Sequence, residues 1–226
     1  MAIRVLIVDD QSLIRSGLRS VLEADDQFVV VGEAADGVEA VSATQEHQPD
    51  VVIMELRMPR IGGVEATIKL MRLESPPKVL ALTTFNTDDL VIEALNAGAS
   101  GFLLKDLRSE ELVTAVRMVA MGGTVMSPEI TAKLVSRAHA RKPTSSSGLQ
   151  EKIDSLKDGE RAVLALIGAG YTNQRIAAEL HLSLASVKTY ASRMLTHLGL
   201  ENRTQAAILA YQAGLAPGNQ PRDGKN

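Results

Sequence analysis

The chain has 226 residues, 45% of them hydrophobic and none of them cysteine, with 24 Lys and Arg against 27 Asp and Glu. That length admits two domains, each able to bury a core of its own. The absence of cysteine excludes disulfides and thiolate metal sites, and no apolar run reaches the roughly 18–20 residues of a membrane helix.

From the N-terminus, β-branched runs at residues 3–8, 28–31, 51–54, 79–82 and 101–104 alternate with amphipathic helical patterns at 12–23, 37–45, 64–73, 88–97 and 109–121. Strands alternating with helices predict an α/β domain with a five-stranded parallel sheet covered on both faces. The unbroken apolar run Val51-Val52-Ile53-Met54 suits a strand buried on both sides. A further amphipathic stretch at 128–138 leads out of this domain into Arg141-Lys142-Pro143-Thr144-Ser145-Ser146-Ser147-Gly148, a polar linker. After it only helical patterns follow, at 158–168, 173–180, 185–198 and 204–213. The expected organisation is an α/β domain over residues 1–122, a connecting helix and linker over 123–154, an all-α domain over 155–216 and a disordered tail over 217–226.

Charge follows the same division. Residues 1–136 hold 12 basic and 20 acidic side chains, net −8, and residues 137–226 hold 12 and 7, net +5. A basic C-terminal part suits a nucleic-acid partner there. The apolar stretch Ile3–Val8 runs straight into two acids and is too short for a signal peptide, so the cytoplasm is the expected location.

In an open parallel sheet, ligands bind at the carboxyl ends of the strands. Asp9 and Asp10 end the first strand, Glu55 the third, Thr83 the fourth and Lys105 the fifth. Acids on such a rim suit a hard cation such as Mg²⁺, and a lysine with a hydroxyl suits phosphoryl oxygens. Acids also end strands merely as helix caps. A phosphotransferase with an aspartyl nucleophile is a rival reading, but it needs an acid two residues on, and Asp9 is followed by Asp10, Gln11 and Ser12.

Over residues 3–121 the chain resembles the receiver domain of response regulators. The resemblance rests on Val8-Asp9-Asp10, Met58-Pro59, Gly63, Leu82-Thr83 and Ala97-Gly98-Ala99-Ser100-Gly101-Phe102-Leu103-Leu104-Lys105. It implies a flavodoxin-like fold and a strand-three carboxylate that accepts a phosphoryl group from a sensor histidine kinase. It also implies Mg²⁺ held by Asp9, Asp10 and the residue at 55, and a switch made of Thr83, Phe102 and Lys105.

The phosphoacceptor position holds Glu55 where that family has aspartate. The extra methylene carries the carboxylate about 1.5 Å further out. In-line transfer depends on positioning, so such a displacement costs on the order of 100-fold. Glu55 is open to three functional readings: a mimic of the phosphorylated state, the mark of an atypical receiver switched by another ligand, or an engineered replacement. A fourth reading is an acid merely tolerated beside Lys105. Two smaller departures are Asp106 after the lysine and Gly62 in the loop after Pro59, which is expected to loosen that loop.

Residues 156–215 resemble the helix-turn-helix output domain of the NarL/FixJ (LuxR-type) regulators. The matching stretches include Gly170-Tyr171-Thr172-Asn173-Gln174-Arg175-Ile176-Ala177, Ser186-Val187-Lys188-Thr189 and Arg203-Thr204-Gln205-Ala206. Thr172 and Ser183 are expected to cap two successive helices, and Asp158 the one before them. In the second, Leu184, Val187, Ala191, Met194, Leu195 and Leu198 form an apolar stripe, with Lys188, Thr189, Ser192 and Arg193 elsewhere on the helix. The resemblance implies double-stranded DNA as partner, bound by a homodimer. Lys188 is the candidate for a guanine edge or a phosphate, and Thr189 for a base edge or a thymine methyl. Arg175, Arg193 and Arg203 are candidates for phosphate contacts, and Thr172, Asn173, Ser183, Ser186 and Ser192 complete the expected DNA-binding set. A receiver that only binds other proteins, with a helix-turn-helix that has lost DNA, is the remaining rival; the basic outer face argues against it.

Overall fold

The computed structural model describes residues 2–84, 88–126, 151–200 and 202–215. The expected helix at 128–138, the linker at 141–148 and the tail from 217 lie outside the described residues. The chain divides into two compact units, Met1–Thr131 and Ala132–Asn226.

The first unit runs β1 (Ile3–Val8), α1 (Ser12–Glu23), β2 (Phe28–Ala34), α2 (Gly37–His47), β3 (Val51–Met54), α3 (Gly63–Met71), β4 (Lys78–Thr83), α4 (Asp88–Asn96), β5 (Gly101–Leu104), α5 (Ser109–Ala120) and β6 (Val125–Met126). The sheet order is β2-β1-β3-β4-β5-β6, with every pairing parallel. Five strands form the expected sheet. The sixth, two residues long, was not expected; it continues the sheet beside β5, with Gly101 opposite Val125.

Burial on both faces explains the continuous apolar strands. Val5, Ile7, Ile53, Leu80 and Leu82 pack with Leu22 of α1 and Leu112, Val116 and Val119 of α5. The alternate residues Leu6, Val52, Met54 and Ala81 are equally buried, as a sheet covered on both faces requires. β2 outruns its expected end at 31 because Gly32 and Glu33 interrupt the apolar pattern. Glu33 is held at this edge by Arg15 at 3.0 Å and Arg19 at 2.7 Å from α1.

The second unit contains α6 (Asp158–Gly168), α7 (Asn173–Glu179), α8 (Leu184–Leu198) and α9 (Arg203–Gln212). Its core joins Leu164 and Ile167 of α6, Ile176 of α7, Val187, Met194 and Leu198 of α8, and Ala206 and Ala210 of α9. Ile153, expected in the linker, is buried in this core. Asp158 does not cap α6. The N-cap is Lys157, which makes no side-chain cap; instead Glu160 accepts the Lys157 backbone N–H at 3.3 Å.

Gly63 opens α3 directly beneath the end of β3. Its N–H donates to the Leu56 carbonyl at 3.0 Å, and a Cβ there would collide with the Glu55 carbonyl oxygen. Gly17, in the middle of α1, has nothing within 4 Å of where a Cβ would be. Gly63→Ala should therefore cost about 1–3 kcal/mol through overpacking. Gly17→Ala should stabilise by about 0.5–1 kcal/mol, the helix cost of glycine. Urea midpoints of the two variants should move in opposite directions; movement in the same direction would contradict this packing.

Candidate functional site

Strand register assembles the first site. Val8 lies opposite Met54, and the Glu55 N–H donates to the Val8 carbonyl at 2.9 Å, so Asp9 and Glu55 emerge side by side. Thr83 lies opposite Leu104, which brings Lys105 onto the same rim, its N–H on the Thr83 carbonyl at 3.0 Å. Asp9, Glu55 and Thr83 are all buried.

The Lys105 ammonium stands between the two acids, 2.5 Å from Asp9 Oδ2 and 2.6 Å from Glu55 Oε2. The other Glu55 oxygen, Oε1, accepts the Thr83 hydroxyl at 2.7 Å. It also accepts the backbone N–H groups of Leu56 at 2.7 Å and Arg57 at 3.0 Å. Asp9 Oδ1 accepts the Gln11 N–H at 3.0 Å. Every carboxylate oxygen of the buried pair thus has a donor, as buried charge requires. Burial pulls the Lys105 pKa down, but hydrogen bonds to Asp9 and Glu55 outweigh it and hold the pKa above 10.5. Phe102, on β5, is fully buried.

Of the expected metal set of Asp9, Asp10 and Glu55, Asp9 and Glu55 are buried. Asp10 is exposed, and among the described residues no three or more His, Cys, Asp or Glu side chains gather to hold a metal ion. Both buried acids already face the same ammonium. The Leu56 and Arg57 N–H donors were missed in the sequence, because a backbone donor leaves no compositional signal. Gly62 occupies the N-cap of α3 without a side-chain cap.

The second site lies on α7 and α8. Thr172 accepts the Arg175 N–H at 3.2 Å and Ser183 the Ser186 N–H at 3.0 Å, so both capping expectations hold. The Ser183 and Ser186 hydroxyls also meet at 2.8 Å. Lys188, Thr189, Ser192 and Arg193 are exposed on α8 while Val187, Met194 and Leu198 are buried. The Thr189 hydroxyl donates to the Ala185 carbonyl at 2.9 Å, which leaves it acceptor capacity for a base edge.

Around α7 the candidates separate. Arg175 is exposed and stacks over the Tyr171 ring at 3.8 Å. Arg203, expected at the DNA backbone, instead turns inward. It donates to Asn173 Oδ1 at 2.8 Å and to the Tyr171 carbonyl, and burial draws its pKa down to about 10. A local sequence pattern shows the charge of Arg203 but not where its guanidinium ends up.

Comparison with known proteins agrees with both halves. Residues 5–117 match the family described as "Response regulator receiver domain", and residues 154–210 match "Bacterial regulatory proteins, luxR family". The chain is 39% identical over 218 residues to the transcriptional regulatory protein LnrK of Bacillus subtilis (strain 168), covering 95% of this chain and 99% of that protein. It is 38% identical over 215 residues to the response regulator protein VraR of Staphylococcus aureus (strain NCTC 8325 / PS 47), again covering 95% and 99%. Among solved structures, it is similar to the response regulator ChrA of a heme-sensing two-component system. That match has 35% identity and a TM-score of 0.52, and covers 95% of this chain and 98% of that one.

The ion cluster yields a stability prediction. Lys105→Met leaves two buried carboxylates without their cation, and breaking such a cluster costs about 3–5 kcal/mol. Because the folded pKa of Lys105 is raised, its contribution is fully present below pH 10.5 and is lost as pH rises through the folded value. Urea denaturation should show the unsubstituted chain more stable than Lys105→Met at neutral pH, with the gap closing only above that point. Equal stability at pH 7 would contradict the cluster.

Proposed function

Because this chain belongs to the DNA-binding luxR-type response regulators, which are transcription factors and not enzymes, we propose that Glu55 holds its receiver in an active-like state without phosphorylation. What carries this reading is the Thr83 hydroxyl, drawn onto Glu55 Oε1 at 2.7 Å, while Phe102 on β5 is fully buried. Glu55 supplies to Thr83 and Lys105 a carboxylate where a phosphoryl group would otherwise bring its oxygens. A carboxylate carries about one negative charge against nearly two for a phosphate, so the mimicry is partial. It tilts the switch by about 1–3 kcal/mol, the usual coupling between two sites. The receiver in turn favours a homodimer that binds double-stranded DNA in the cytoplasm. A sensor kinase acts on it only where position 55 is aspartate.

The test compares this chain with Glu55→Asp, each with and without acetyl phosphate and Mg²⁺. The Asp variant should gain phosphate by intact mass and bind DNA more tightly afterwards. The unsubstituted chain should gain no phosphate, yet bind DNA better than the unphosphorylated Asp variant. A phosphate adduct on Glu55, or DNA binding no stronger than that of the unphosphorylated variant, would point to a receiver switched by something else.

α8 reads the DNA under the same proposal. Its Lys188 is exposed and has no ion-pair partner among the described residues. Two chains carry two such helices, so genomic fragments selected for binding should contain paired half-sites about one helical turn apart. On the selected site Lys188→Ala should cost roughly 1–3 kcal/mol, the range of a lost bidentate base contact. An equal loss on all sequences would make Lys188 a phosphate contact.

A further inference from the structure

The first helix of a helix-turn-helix crosses the DNA backbone while the second enters the groove. Here the first is α7, and the segment that opens it, from Tyr171 to Arg175, is gripped at several points. Thr172 caps the helix through the Arg175 N–H. Arg175 lies over the Tyr171 ring at 3.8 Å. From α9, Arg203 takes both neighbours of Thr172: Nη1 donates to Asn173 Oδ1 at 2.8 Å and Nη2 to the Tyr171 carbonyl.

We infer that Arg203 is a positioning residue for DNA binding, a planar fork that fixes the entry of α7 from the start of α9 without itself touching DNA. The inference rests on the DNA-binding reading of this domain. Burying a guanidinium is costly, and no carboxylate ion-pairs with Arg203 among the described residues. Its Nε is buried and has no hydrogen-bond partner. Charge alone therefore does not explain an arginine here. Two acceptors on either side of one residue do explain it, because a guanidinium presents several donors in a fixed plane. A lysine ammonium is a point charge on a flexible stem and cannot reproduce that fork. Thr172, Asn173 and Arg175, all candidate DNA contacts, sit on the segment that the fork holds.

The variants are Arg203→Met, Arg203→Lys, Asn173→Ala and the double variant Arg203→Met with Asn173→Ala, all in the full chain. Amide hydrogen exchange is followed without DNA. Affinity is measured by fluorescence anisotropy on a random-sequence duplex of about 30 base pairs, long enough for two half-sites a helical turn apart. Both Arg203 variants should speed exchange at residues 172–176 while the α6 core amides of Leu164 and Ile167 keep their protection. Both should weaken duplex binding about tenfold, the scale of one lost hydrogen bond to a charged group. Asn173→Ala should share part of that loss, and the double variant should lose less than the sum of the two single changes.

Three results would overturn the inference. Full affinity in Arg203→Lys would mean that the charge itself meets DNA. Faster exchange throughout α6, α8 and α9 would mean a role in the whole fold. Additive losses in the double variant would mean that Arg203 and Asn173 act separately. Failure of the unsubstituted chain to bind the duplex would instead remove the DNA-binding reading, and the exchange data would still decide whether Arg203 holds the segment.

Discussion

The ammonium of Lys105, set between Asp9 and Glu55, is the contact on which the receiver unit depends. Two buried carboxylates side by side repel strongly in a medium of low dielectric. They coexist because one cation faces both, at 2.5 and 2.6 Å, and because backbone N–H groups of Gln11, Leu56 and Arg57 take up the remaining oxygens. The parallel register of β1, β3, β4 and β5 brings these groups to one rim. Gly63 then lets α3 begin close enough to the Glu55 carbonyl to close the floor of the site. Sheet topology, a glycine and an ion cluster are therefore one constraint seen at three scales.

The same cluster sets what the site admits. Glu55 uses one oxygen for the ammonium and the other for Thr83. That division is available because the longer side chain reaches both. It keeps both carboxylates paired and the threonine hydroxyl engaged.

Much of this was legible in the sequence where the signal was local. The strands declared themselves through apolar runs, and the caps at Thr172 and Ser183 through a hydroxyl three residues before a free backbone N–H. The rim was legible because strand ends are fixed once the alternation is read. What escaped depended on distance along the chain. Gly32 and Glu33 hid the end of β2, because arginines on α1 tolerate the acid there. The two-residue β6 is too short for any periodicity to show. Arg203 read as a surface charge, yet its partners lie 30 and 32 positions away.

The two units treat polar groups in opposite ways, and the contrast carries the function. In the receiver the buried charges are neutralised from within, by Lys105 and by backbone donors, so the site is self-contained and its state is set by which groups are present. In the output unit polar groups are likewise engaged within the chain: Arg203 by Asn173 and Tyr171, and the cap hydroxyls of Thr172 and Ser183 by helix N–H groups. What α8 leaves exposed is Lys188, Arg193 and a row of short hydroxyls. Exposed cations gain most from a polyanion, because binding releases its condensed counterions. The net charge of +5 over residues 137–226 acts in the same direction over a longer range. Satisfied groups thus fix the frame in both units, and the groups left exposed on α8 are the ones available to a partner.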